Sequence, residues 1–300
     1  MAQTRGTFTE LHDNTDRTIF TLLGKEWKEI KPIWRRYFNV KSSQKRSELV
    51  LSVTGVGDIP EKPEGQPYAT DIIRSGYQKE FLHTEFGLMF EVTQTALEDD
   101  RYDVLSDHAK WFMFSARVVQ EKRAAILFNN GFGSETSPDG ASIFSATHAL
   151  KGGGTARNIL STAADLSYTS LQQALVDWQR ETKFEAGQQM MPVENLTLIV
   201  PPELEFTAEA IIKSTLRPGV GDNDVNAIRT LRDITVVKNV YLTDTDAWFL
   251  LAGNKTHGFC SYERVPLSME PAMTDPVTRN RLYPVRWRQS WGCSRWQNSF

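Results

Sequence analysis

Five histidines, His12, His83, His108, His148 and His257, are the side chains best suited to bind metal or move protons at neutral pH. None sits at a ligand spacing such as His-x3-His or His-Glu-x2-His, so the pattern predicts packing or surface histidines. Asp139 and His148 could pair as acid and base on one loop. A triad also needs a nucleophile held against the base, and no Gly-x-Ser-x-Gly elbow occurs; Ser142 and Ser145 read as loop serines. Lys151-Gly152-Gly153-Gly154-Thr155 has the composition of a phosphate cradle, but a P-loop runs GxxxxGK[ST] between a strand and a helix. The clear strand-to-helix junction, Val200 to Glu203, is Pro201-Pro202, which lacks the N–H groups that bind phosphate. The expectation is a protein that is not an enzyme and carries no cofactor or metal.

One segment mixes charge and rings. From Pro276 to Phe300 there are five arginines (Arg279, Arg281, Arg286, Arg288, Arg295) and no acid, with Tyr283, Trp287, Trp291 and Trp296 between them. Such interleaving serves single-stranded nucleic acid through stacking and phosphate contact. It serves a protein interface equally, because Trp, Tyr and Arg dominate hot spots. The interface reading is favoured, since the rest of the chain shows no basic field. A soluble nucleic-acid-binding protein using Arg279–Trp296 stays as the alternative.

Charge and composition exclude other classes. The 300 residues carry 34 Lys and Arg against 37 Asp and Glu, a net charge of −3, so neither nucleic acid nor membrane is indicated for the whole chain. Hydrophobic residues are 40%, enough for a core and against disorder or collagen. The longest unbroken apolar stretches, such as Ala247–Ala252, fall far below the ~18 residues of a membrane span, and MAQTRGTFTE has no apolar signal region. Cys260 and Cys293 have no CxxC spacing and fit a reducing compartment, the cytoplasm.

Residues 1–46 hold ten basic and five acidic side chains, with one amphipathic stretch, Ile19 to Trp34, broken by Gly24 and Pro32. They read as an arm ordered by a neighbour or as a flexible leader. Residues 47–56 alternate as a strand, with Leu49, Leu51 and Val53 on one side. A Pro- and Gly-rich tip follows, then extended runs at Ile72–Leu82 and Phe86–Val92, so a long hairpin is expected, too poor in apolar residues to bury both faces. Thr95 and Glu98 form a capping box. Leu105, Ala109, Phe112, Ala116, Val119, Arg123 and Ile126 then recur every three or four residues, Arg123 the single exception to an apolar stripe, predicting a helix to Asn130-Gly131 of roughly 45 Å. Beyond a loop, helices capped at Thr169 or Ser170 and spanning Glu203–Leu216 alternate with strands at Leu196–Val200, Ile234–Leu242 and Ala247–Ala252, an α/β unit. Residues 255–300 return to extended patterning.

This order resembles the Hong Kong 97-type major capsid proteins of tailed bacteriophages. The run Glu64-Gly65, Ile73-Arg74-Ser75-Gly76-Tyr77, Phe86-Gly87 and Leu97-Glu98-Asp99-Asp100 looks like the Mu-like major head subunit group. So does Asp139-Gly140-x3-Phe144-x3-His148 followed by Asn158. The resemblance implies an α+β capsid fold with an N-arm (1–46), an extended E-loop hairpin (47–92), a peripheral domain with a long spine helix (93–135), an α/β axial domain (136–254) and peripheral return strands (255–300). It further implies hexamers and pentamers of the chain in an icosahedral shell around double-stranded DNA held by non-specific contacts. Implied partners are a separate scaffolding protein, because 46 residues are too few for a built-in one, a portal and a cement or decoration protein. The place of action would be the virion capsid, assembled in the bacterial cytoplasm. Expected contacts between subunits are Trp27, Trp34, Arg35, Arg36, Lys62, Glu64, Tyr77, Arg286, Trp287, Arg288 and Trp291.

Overall fold

Alternation across Ser47–Val53 and Arg281–Cys293 yields strands, and the three-to-four recurrence yields one long helix. The computed structural model describes residues 32–55, 59–70, 75–93, 95, 102–191, 193–218, 224–253 and 255–300. In chain order these form β1 (Asn39–Ser42), β2 (Ser47–Val53), β3 (Ser75–Leu82), β4 (Thr84–Val92), α1 (Tyr102–Asn129), β5 (His148–Ala149), β6 (Thr155–Ala156) and α2 (Tyr168–Glu181). Then come β7 (Asn195–Val200), α3 (Glu205–Lys213), α4 (Ala227–Leu231), β8 (Asp233–Lys238), β9 (Phe249–Ala252), β10 (Phe259–Met269), β11 (Met273–Thr274) and β12 (Arg281–Cys293). Short 3-10 turns stand at Trp34–Arg36 and Pro202–Leu204. Trp27, Ile73, Arg74 and Leu97–Asp100 lie outside the described residues, and with them the Thr95–Glu98 capping box and the Ile19–Ile30 part of the arm.

Hydrogen bonding orders the strands as β1-β10-β12-β11 with β4 also on β12, as β8-β7-β9, and as the pairs β2-β3 and β5-β6. The described chain divides into two units. One holds His83–Lys122 and Glu263–Gln289; the other holds Ile33–Leu82, Arg123–Tyr262 and Ser290–Phe300.

In the first unit β4 runs antiparallel to β12 from Arg281↔Val92 to Gln289↔Thr84. Tyr283, Val285 and Trp287 point inward and pack with Val92, Met113 and Ala116. The periodicity predicted Phe112, Ala116 and Val119 in the buried stripe of the helix, with Arg123 its single exception. The structure turns that face by about one residue: Met113, Ala116, Arg117 and Gln120 are buried, Phe112 and Val119 are half-buried, and Arg123 is exposed. Internal hydrogen bonds permit it, because Arg117 Nη1 donates to Gln120 Oε1 (3.2 Å) and Gln120 Nε2 to Gln289 Oε1 (3.1 Å). Simple apolar periodicity cannot register a buried polar line.

In the second unit β7 is covered on both faces, as apolar residues on both its sides predict. Leu196, Leu198 and Val200 meet Leu171, Ala174 and Trp178 of α2 and Ala208 and Ile211 of α3. Ile199 lies on the opposite face, clustered with Trp34, Tyr37, Phe38, Phe128, Phe249 and Phe259. The sheet is mixed, since β7 pairs parallel with β8 and antiparallel with β9. The cap of α2 differs from expectation: Ser167 Oγ accepts from the Ser170 N–H and the Ser170 hydroxyl answers the Ser167 N–H, so the helix begins earlier than Thr169.

Candidate assembly surface

β2 and β3 pair antiparallel from Ser47↔Leu82 to Val53↔Ser75, with an irregular step between Leu51 and Val53. The expected third extended run, β4, leaves this hairpin and joins β12 instead. One face of the hairpin is covered: Val50 and Phe81 pack with Cys260 and Tyr262. The other face presents Leu49, Leu51 and Leu82, which are 61%, 53% and 64% exposed. A contiguous apolar row left open on a strand pair marks an interaction surface. The tip, residues 59–70, is exposed throughout.

A buried carboxylate holds the hairpin where its tip begins. Glu185 Oε1 accepts from Ser52 Oγ at 2.5 Å, and Glu185 Oε2 accepts from the Tyr77 N–H at 3.3 Å. The Ala186 N–H donates to Thr54 O (2.9 Å), and Lys151 Nζ lies 4.1 Å from the Tyr77 ring centroid. Burial first, then the charges of Asp139 and Glu185, raise the Tyr77 phenol above its ordinary pKa. Gly76 makes the approach feasible: a Cβ there would stand 2.1 Å from Glu185 Oε2 and 2.4 Å from Ser52 Oγ. Gly76→Ala is therefore expected to push the carboxylate off the hairpin at a cost of about 1–3 kcal/mol. Hydrogen exchange at the Tyr77 amide would speed up; an unchanged rate would contradict the contact.

The expected contact residues fall into distinct settings. Trp34 is fully buried, edge-on to Phe38 (6.0 Å) and Trp291 (6.2 Å), and Trp291 is half-buried. Arg35 and Arg36 are exposed, with the Arg35 guanidinium 5.2 Å from the Trp34 ring. Lys62 stacks over Tyr68 at 4.2 Å and Glu64 is exposed, both at the tip. Trp287 is 4% exposed and stacks at 5.1 Å on Phe86, its direct partner across the strands. Arg286 bridges Glu85 (2.6 Å) and Glu270 (3.6 Å), and Arg288 is half-buried. Tyr283, Trp287 and Trp296 are thus covered by the chain itself, and the C-terminal alternation is that of a strand in a sheet rather than of an exposed ring platform. Strand period alone could not decide which partner covers the inward face. Alternation along the first strand sets Leu49 and Leu51 on one side, and the β2-β3 register brings Leu82 of the second strand to the same face.

His148 is fully buried with its ring stacked on Trp296 at 4.4 Å. Its Nδ1 meets Asp139 Oδ2 at 2.7 Å and its Nε2 meets Asn158 Oδ1 at 3.0 Å. Asn158 is oriented by Ser145 N–H donating to Oδ1 and by its own Nδ2 donating to Ile143 O. Both ring nitrogens therefore face side-chain oxygens. Burial alone would raise the Asp139 pKa, but the hydrogen bond and charge of His148, with Ser137 and the Ala141 N–H, hold it below the usual carboxylate range. With both side chains closed off from solvent, the cluster pins a loop and offers no entry to a substrate. The glycine run Gly152–Gly154 is the turn of the β5-β6 ribbon, with Leu150 N–H donating to Gly154 O. Both cysteines are free and buried, and burial pushes Cys260 up to about 11 and Cys293 up to about 12, so they stay unreactive thiols. Among the described residues no His, Cys, Asp and Glu group could hold a metal, and no helix is long and apolar enough to cross a membrane.

The fold is α+β, and one face of its hairpin is an apolar row that the chain leaves open. The sequence pattern of the family described as phage capsid protein matches residues 78–293, and the chain belongs to that family. No curated protein matches it. The capsid of the cyanophage P-SCSP1u superposes with a TM-score of 0.59 at 13% identity, over 90% of this chain and 86% of that one. The capsid of a native GTA particle gives 0.57 at 16% identity, over 90% and 89%. A virus-like particle from Pyrococcus furiosus gives 0.53 at 9%, over 94% and 97%. At these identities the likeness is one of fold, and it agrees with the Hong Kong 97 type. Family and fold support a structural role in a viral shell.

Proposed function

We propose that this chain is the major head subunit of a tailed phage, assembling as hexamers and pentamers into an icosahedral shell around double-stranded DNA. The observation that carries the reading is the open Leu49–Leu51–Leu82 face of the β2-β3 hairpin, in a chain of the phage capsid protein family. An apolar row that its own chain leaves bare is completed by a neighbour. In this reading residues 1–46 are the N-arm, the hairpin within 47–92 is the E-loop, 93–135 is the spine, 136–254 is the axial domain and 255–300 are return strands. The Gly76-Tyr77 and Asp139…His148 motifs support a place near the Mu-like head subunits. A separate scaffold, a portal and a decoration protein are the partners, and assembly takes place in the host cytoplasm.

Expression with and without the adjacent head genes, followed by negative-stain microscopy and sedimentation, tests this. Closed shells, tubes or hexamer and pentamer rings are expected. A strict monomer that binds single-stranded DNA in both preparations would overturn the reading. Leu49→Asp with Leu51→Asp should leave the unfolding free energy of the unassembled chain within about 0.5 kcal/mol of wild type and abolish assembly. Normal shells from that variant would remove the hairpin face from the contact.

A further inference from the structure

Below the hairpin, within the second unit, lies a cavity of about 470 Å³. Three cations line it: Lys41, Lys255 and Arg295. Each has only neutral company in the described structure. Lys41 lies 5.7 Å from the Tyr262 ring, Lys255 Nζ donates to Arg35 O (3.4 Å), and Arg295 donates to Thr256 O. The one acid in the lining, Glu185, is engaged by Ser52 and Tyr77. The field is felt nearby: burial, then the charges of Arg295 and Lys255, push His257 down to about 3. Gln297, 5% exposed, also lines the cavity, and its buried Oε1 has no hydrogen-bond donor. The site thus lacks two things, negative charge and an N–H donor.

The hairpin tip carries both. Glu61 and Glu64 are exposed, and within residues 59–70 the one backbone hydrogen bond runs from Gln66 N–H to Pro63 O. No residue of 59–70 lines the cavity of its own chain. We infer that the cavity receives the Glu61–Glu64 tip of a neighbouring copy, its carboxylates meeting Lys41, Lys255 and Arg295 and a tip amide meeting Gln297. This rests on the shell-subunit reading. A tip and a receptor on different parts of one chain make a head-to-tail contact, the kind that closes into rings.

Charge exchange on the full-length chain tests it. Glu61→Lys with Glu64→Lys, and separately Lys41→Glu with Lys255→Glu, should each raise the concentration needed for assembly roughly tenfold. The four changes together in one chain should restore it. All substituted side chains are exposed, so unassembled melting temperatures should match wild type. Carbodiimide treatment of assembled wild type should join Glu61 or Glu64 to Lys41 or Lys255, seen by mass spectrometry, and the dilute subunit should give no such product. Failure of the combined variant to recover while wild type assembles would overturn the inference, as would cross-links of those lysines to Glu10, Asp13 or Asp16, or the tip product in the dilute subunit. Wild type that never assembles would instead remove the shell-subunit reading on which the inference stands.

Discussion

Replacing Trp287 by alanine should destabilise the first unit by about 3–5 kcal/mol, the usual cost of truncating a large buried aromatic. The indole is 4% exposed, stacks on Phe86 and packs among Tyr283, Val285, Val92, Met113 and Ala116. Its loss leaves a cavity that a β4-β12 ladder paired at every residue from Arg281 to Gln289 cannot easily close. The neighbouring Arg286→Ala should cost less than about 1 kcal/mol, because its partners Glu85 and Glu270 are half exposed and screened by solvent. Urea unfolding of the unassembled chain distinguishes the two. A Trp287→Ala chain as stable as wild type but unable to assemble would return this residue to the subunit interface. If it were equally stable and lost only oligonucleotide binding, the nucleic-acid reading would gain support.

His148→Phe is expected to cost a similar ~3–5 kcal/mol, since removing one member of a buried, hydrogen-bonded pair strands the other. Asp139 would keep the Ala141 N–H but lose its nearest partner, and Asn158 Oδ1 would lose its contact with the ring. The same pair predicts acid sensitivity. The Asp139 pKa is lower folded than unfolded, so its contribution is complete above the ordinary carboxylate pKa of about 3.9 and is lost as pH falls through the folded value. Unfolding followed from about pH 6 down to about pH 2 should show wild type losing more stability than Asp139→Asn. Parallel pH profiles would contradict the pair.

Much of the fold was legible. The inward residues Leu171, Leu175 and Trp178, the doubly buried strand at Leu196–Val200 and the shared side of Leu49 and Leu51 all follow from period and run length. Asp139 and His148 were recognised as a pair by type, with catalysis set aside for want of a nucleophile; that the pair is sealed under Trp296 needed the return of the C-terminal strand. Gly76 carries no signal of its purpose, because the carboxylate it admits comes from Glu185, more than a hundred residues later in the chain. Likewise the long helix presents a polar line inward because Gln289, far along the sequence, supplies the partner for Gln120.

By itself the sequence determined which segments are strands and helices, which positions on each alternate inward, and that no catalytic constellation is spelled out. Those properties are local, set by side-chain periods of two and 3.6 and by turn residues. Only the tertiary structure decided which apolar faces the chain covers for itself and which it leaves to others. Coverage depends on contacts between residues far apart in sequence, and so Trp287 became core while Leu49, Leu51 and Leu82 remained open.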